Sequence, residues 1–192
     1  LYRQNIRRLQ GEAIRDNIIA VSGRLDKKMY GPSTPVYLTP FMTGRGRPQS
    51  GPLDGAGRRS IYISVRRNFI APLMLAFDTP VPFNSIGRRN VSNVPSQALI
   101  LMNDPFVIEQ SQVWAKRLAA NDKQTSADRI DQMIREAFGR AATKIELADA
   151  GDFLEIQREQ YGIAKENLMT DIRLWADLGH VLINSKPFIY ID

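Results

Sequence analysis

The side chains with the greatest chemical reach in this sequence are its arginines. Eight of them lie between Arg45 and Arg89 (45, 47, 58, 59, 66, 67, 88 and 89), with no lysine and two acids, Asp54 and Asp78, so this segment holds the whole net charge of +6. Arginine without lysine points to planar, bidentate or stacked contacts, because lysine would serve a loose electrostatic footprint equally well. Buried or interfacial carboxylates are the expected partners, ahead of phosphate. The densest group is Arg88-Arg89-Asn90, followed by Asn93 and Gln97, just before the helix that Pro95 opens. Guanidinium and amide donors beside a helix N-terminus favour an anion such as a carboxylate, a sulfate or a haem propionate. The same groups can instead tie a loop to the helices through carbonyls and through Asp78 or Asp104, since buried polar clusters are usually satisfied internally.

A second basic group, Tyr62 with Arg66 and Arg67, interleaves an aromatic ring with guanidinium groups as single-stranded nucleic-acid sites do, but one strand offers too small a platform. His180 is the single histidine. It can ligate iron or shuttle a proton, although a lone histidine is more often a hydrogen-bonded structural residue. No Ser-His-Asp order, paired-carboxylate pattern or phosphate loop rises above chance, so no catalytic residue is assigned.

Composition narrows the classes. The chain has 192 residues, 43% of them hydrophobic and 24% charged, in keeping with one folded domain over residues 1–192. With no cysteine there is no disulfide framework, thiolate metal site, cysteine nucleophile or covalent haem attachment in this sequence, and one histidine makes a zinc site uncommon. We expect no metal and no cofactor in this domain. The longest apolar runs, such as Ala98 to Met102, fall far short of the roughly 20 residues that cross a bilayer, so no transmembrane segment is expected. The chain opens inside a helical pattern without a start methionine, which suggests a C-terminal fragment of a larger protein.

The elements that must position these groups read as mainly α: an irregular helical bundle of five or six helices with a long Gly/Pro/Arg-rich loop region and at most a small β-hairpin. Residues 1–25 form an amphipathic helix through Ile6, Leu9, Ala13, Ile18, Val21 and Leu25, interrupted by Gly23. Residues 31–94 are rich in breakers, with short strands at Val36-Tyr37-Leu38 and at Ile61, Ile63 and Val65. Residues 95–192 are helical. Asn93 and Pro95 start a helix through Ala98, Leu99 and Met102; Asp104-Pro105 starts the next, to about Ala120; Ser126 caps a third, stopped by Gly139. Thr143-x-x-Glu146 is a capping box for a fourth, and the last runs from about Leu168 to Ile183.

Five separated strings carry a resemblance: Gly57-Arg58-Arg59-Ser60-Ile61-Tyr62, Phe77-Asp78-Thr79-Pro80, Arg88 to Leu99, Leu101-Met102-Asn103-Asp104-Pro105-Phe106, and Trp175 to Tyr190. Their order resembles the planctomycete-specific PSD-one domain, a family of unknown function found towards the C-terminus of large proteins. The chain departs from the family's usual pattern at Gly139-Arg140-Ala141-Ala142 and at Lys186-Pro187-Phe188. The resemblance implies export, an extracytoplasmic location, and a haem c on a cytochrome-like domain elsewhere in the polypeptide. It also implies carbohydrate-binding-like neighbours in some members.

The leading expectation is thus a non-catalytic scaffold or docking domain of an exported cytochrome-bearing protein, with other domains of the same polypeptide or a complex as partners. The alternative is an enzyme or binding domain for an anionic, sulfated polysaccharide, and the third reading is a nucleic-acid binder.

Overall fold

A computed structural model describes residues 5–83, 85–121 and 123–191. It is 52% helical, with eight α-helices and one two-stranded antiparallel ladder, and is therefore mainly α as the sequence pattern predicts. Six of the helices have nine residues or more: α1 (Gly11–Ser22), α3 (Pro95–Asn103), α4 (Pro105–Ala119), α5 (Ser126–Phe138), α6 (Lys144–Gln160) and α7 (Ile172–Ile183). The other two, α2 (Pro72–Ala76) and α8 (Lys186–Ile189), are single turns with a proline at the first or second position. Pro187 thus supplies the fixed φ that a first helical turn favours.

The core forms where α4 crosses α7. Trp114 and Ala115 of α4 and Leu174, Trp175 and Ile183 of α7 are all fully buried. Gly179 permits this approach, since a Cβ there would lie 3.1 Å from the Trp114 ring. α1 adds Ile14, Ile18 and Ile19 to the same cluster, and α5 adds Ile130, Met133 and Ile134. Each of these elements buries an apolar stripe at three- and four-residue spacing, which tertiary packing turns into stable helix.

The helix ends follow local chemistry, with corrections. Asp104 caps α4 by accepting from the Phe106 N–H at 2.9 Å, and Thr143 with Glu146 forms the expected capping box. Gly139 ends α5 at φ 71°. The cap of α5 is Thr125, boxed with Asp128, and Ser126 is its first helical residue, because Thr125 alone keeps the extended backbone a cap requires. Asn93 caps nothing: Val94 precedes Pro95 without a side-chain bond. The last long helix, α7, starts at Ile172, capped by Asp171, four residues later than predicted.

Two larger corrections concern strands. Residues 1–25 are not one helix. Residues 1–4 lie outside the described residues; Arg7–Arg8 form β1, which pairs with β2 (Tyr190–Ile191), and helix begins at Gly11. The Leu9 N–H donates to the Ile189 carbonyl at 2.8 Å, so pairing with the distant C-terminal segment overrides the local helical period. The alternation at Ile61, Ile63 and Val65 does not make a strand. Ser60–Tyr62 is a 3-10 turn, Ile61 and Val65 are exposed, and only an isolated bridge joins Thr34 to Ile63. Val36 and Leu38 instead pack on Phe69 in a small second cluster beneath the loop-rich segment.

Candidate functional site

Two polar knots fasten the loop-rich segment, one to α1 and one to β1, and both centre on arginines outside the expected site. In the first, buried Arg15 donates to the Asp54 carbonyl at 2.7 Å, the Arg58 carbonyl at 3.0 Å and the Ser60 hydroxyl at 3.1 Å. Asp16 accepts from both the Ser60 N–H and its hydroxyl at 2.7 Å, and Asp54 accepts from Arg24 at 2.6 Å. The turn Gly55-Ala56-Gly57 has three consecutive left-handed residues, with φ of 62°, 55° and 72°. Gly57 has no room for a side chain, because a Cβ would sit 2.3 Å from the Arg24 carbonyl oxygen. Arg58 lies 4.1 Å over the Tyr62 ring and donates to the Tyr30 carbonyl. Stacking and carbonyl bonds therefore account for Arg58, whose ion pair with Asp26 is long at 3.8 Å.

In the second knot Asp78 accepts from Arg8 at 2.8 Å and from the Ser92 N–H and hydroxyl at 2.8–2.9 Å. The Arg8 guanidinium, its side chain 4% exposed, also donates to the Ser92 carbonyl. Gln97, buried on α3, donates to the Ala76 and Ser92 carbonyls at 3.0 and 3.1 Å. Burial pushes the Asp78 carboxyl up, but the Ser92 and Arg8 donors outweigh it and hold the group below the ordinary carboxylate range. Asp78 takes φ 59°, a left-handed conformation that aspartate tolerates better than most residues.

The residues singled out from the sequence divide between inside and outside. Gln97 is inside. Arg88, Arg89, Asn90 and Asn93 are exposed, so the inward knot is built by Arg8, Asp78, Ser92 and Gln97 in their place. Arg89 reaches back to Glu12 at 2.8 Å and to the Gln10 side chain at 3.1 Å across the start of α1. Arg66 and Arg67 are exposed, and Arg67 lies 5.6 Å over the Phe83 ring. His180 is half-buried on α7, where its Nε2 meets the Leu101 carbonyl at 2.9 Å and must donate to it. Arg8 and Arg15 were missed, although Arg15 sits inside the arc of Ile14, Ile18 and Ile19 and so marks itself as a buried arginine.

What remains open lies around residues 88–94. Arg7, Arg8 and Arg88 line a cleft of about 790 Å³ whose apolar walls include Leu9, Val91 and Ile191, and none of the described acids lines it. On the other side of this segment, Asn93, Val94 and Ala98 line a groove of about 440 Å³ with Asn184, Ile189 and Tyr190. Among the described residues Arg7 and Arg88 form no ion pair. The outer face of α3 continues this surface. α3 buries Gln97 and Leu101, while Leu99 and Met102 are 58% and 55% exposed. Ala98, Leu99 and Met102, which carry the predicted helical pattern, are exposed, while Leu101 and Gln97, which satisfies Ala76 and Ser92, take the inward positions.

A smaller cavity of about 160 Å³ lies between α2, α4 and Arg15, bordered by Asp104, whose pKa is raised by burial against the Phe106 N–H it accepts. Among the described residues no group of three or more His, Asp or Glu is arranged to hold a metal ion. Among them, too, no helix is long and apolar enough to cross a membrane. No curated protein and no solved structure matches the chain. The family model described as PSD1, protein of unknown function (DUF1553), matches residues 1–154, the part that contains both knots and α3, and the chain belongs to that family.

Proposed function

We propose that this chain is a docking domain, and that the surface formed by residues 91–102 is covered by another part of the polypeptide or complex in which it works. The second apolar face of α3 carries the reading. A helix that already buries Leu101 and Gln97 against the core, yet leaves Leu99 and Met102 in solvent, keeps a further apolar face for a partner. Val91, 71% exposed, and Val94 extend the same surface into the preceding loop. The wider setting, an exported cytochrome-c-bearing protein, rests on the resemblance of the five strings. The sulfated-glycan and nucleic-acid readings draw on the same arginines, but neither explains an apolar helix face.

The test compares the chain alone with the native polypeptide or complex isolated from its source. Met102 oxidises at the rate of an open thioether in the isolated chain and much more slowly in the native assembly, with amide exchange slowed across 95–103. Equal oxidation and exchange in both would refute docking through this face.

A further inference from the structure

Resting on the docking reading, we infer that the cleft between Arg7 and Arg88 is a specific site for an extended protein segment in which acidic and apolar residues alternate. Three features identify that chemistry. The cleft presents two exposed guanidinium groups, Arg7 and Arg88, without ion-pair partners among the described residues, and none of the described carboxylates lines it. The walls between them are aliphatic, from Ile6, Leu9, Val91 and Ile191, and among the described residues no aromatic ring lines the cleft for a sugar face to stack on. The lining residues divide along one stretch of chain, Arg88 and Val91 on the cleft and Asn93, Val94 and Ala98 on the groove, so cleft and apolar groove flank one segment.

An occupant with alternating character fits because successive side chains of an extended chain point to opposite sides. Carboxylates meet the guanidinium forks, which match them bidentately, while the intervening side chains meet the aliphatic walls. The third arginine differs. Arg8 is held by Asp78 and Ser92, so its charge is offset and it contributes no mobile donor. Arg89 is also withdrawn, through Glu12. Arg7 and Arg88 are therefore the recognition pair.

The experiment measures binding of the full chain, by calorimetry at low salt, to three probes. They are a nonapeptide alternating Glu and Val, the same peptide with Ser for Glu, and a sulfated oligosaccharide of equal charge. The expected result is binding of the Glu peptide alone, weakened at least about tenfold by Arg7→Glu and by Arg88→Glu, as for a charge pair at an interface. Added salt weakens the same binding. Both variants keep the wild-type melting temperature, since neither side chain ties the fold together. Silence of the Glu peptide, equal binding of the Ser peptide, tighter binding of the sulfated oligosaccharide, or indifference to both variants would each overturn the assignment. Loss of the cleft's binding with persistent protection of Met102 in the native assembly removes this inference and leaves docking through α3 standing; loss of both removes the two together.

Discussion

Replacing Asp78 separates the inward knot from the exposed arginines beside it. Asp78→Ala leaves the Arg8 guanidinium, with a side chain 4% exposed, and the Ser92 N–H and hydroxyl without their acceptor. Removing one partner of a fully buried pair costs roughly 3–5 kcal/mol, and the 19% exposure of the Asp78 side chain lowers the expectation to about 2–4 kcal/mol. Arg8 retains the Ser92 carbonyl, which is already counted in that lower figure. At roughly 2–4 °C per kcal/mol for a domain of this size, the melting temperature falls by about 4–16 °C, with about 9 °C as the centre. Asp78→Asn keeps an acceptor for Ser92 and tolerates φ 59°, so it loses about half as much. Arg89→Ala breaks a pair whose partners are 39% and 29% exposed and costs at most about 1 kcal/mol. Thermal unfolding by far-ultraviolet circular dichroism of the three variants decides the matter. If Arg89→Ala destabilised as much as Asp78→Ala, or Asp78→Ala melted with the wild type, the knot would not be where the loop is fastened.

Three further outcomes are expected. Gly57→Ala, at φ 72° with its new Cβ 2.3 Å from the Arg24 carbonyl, destabilises well beyond the roughly 1–2 kcal/mol of left-handed strain alone, whereas Gly139→Ala, at φ 71° in open space, costs only about that strain; urea midpoints compare them. Glu146 is held at about 2, first by Arg140 and then by the Thr143 N–H, from an ordinary value of 4.5. A depressed carboxyl stabilises the fold above its unfolded value, so this contribution is complete above about pH 4.5 and is lost as pH falls toward 2; Glu146→Gln flattens that slope in urea midpoints taken across the range. Gly179→Ala forces Trp114 to shift from 3.1 Å and costs about 1–3 kcal/mol, read as a loss of melting temperature with altered tryptophan fluorescence.

Much of the helical half was legible because its signals are local. Asp104-Pro105, Thr143 with Glu146, and Gly139 act through backbone groups within a few residues, so their chemistry is written where it operates. The departure at Gly139-Arg140-Ala141-Ala142 is also local: Arg140 pairs with Glu146 at 2.6 Å and supports the cap of α6. The alternation at Ile61, Ile63 and Val65 misled because a two-residue period marks a strand only where a partner strand and a buried face exist. Here Tyr62 and Arg58 stack and Ser60 is drawn to Asp16.

By itself the sequence determined the mainly α class, the breaker-rich middle, the concentration of charge in residues 45–89 and most of the caps, since each depends on composition or on neighbours along the chain. Only the tertiary structure decided which arginines face inward. Arg8 and Arg15 are buried because Asp78, Ser92, Asp54 and Ser60 converge on them from 39 to 84 residues away, a pairing no local period encodes. The same long-range closure sends Arg7 and Arg88 outward and sets Gln97 on the inner face of α3. Leu99 and Met102 face the solvent for that reason: the polar knot required the inward position, and a helix has only one inner face.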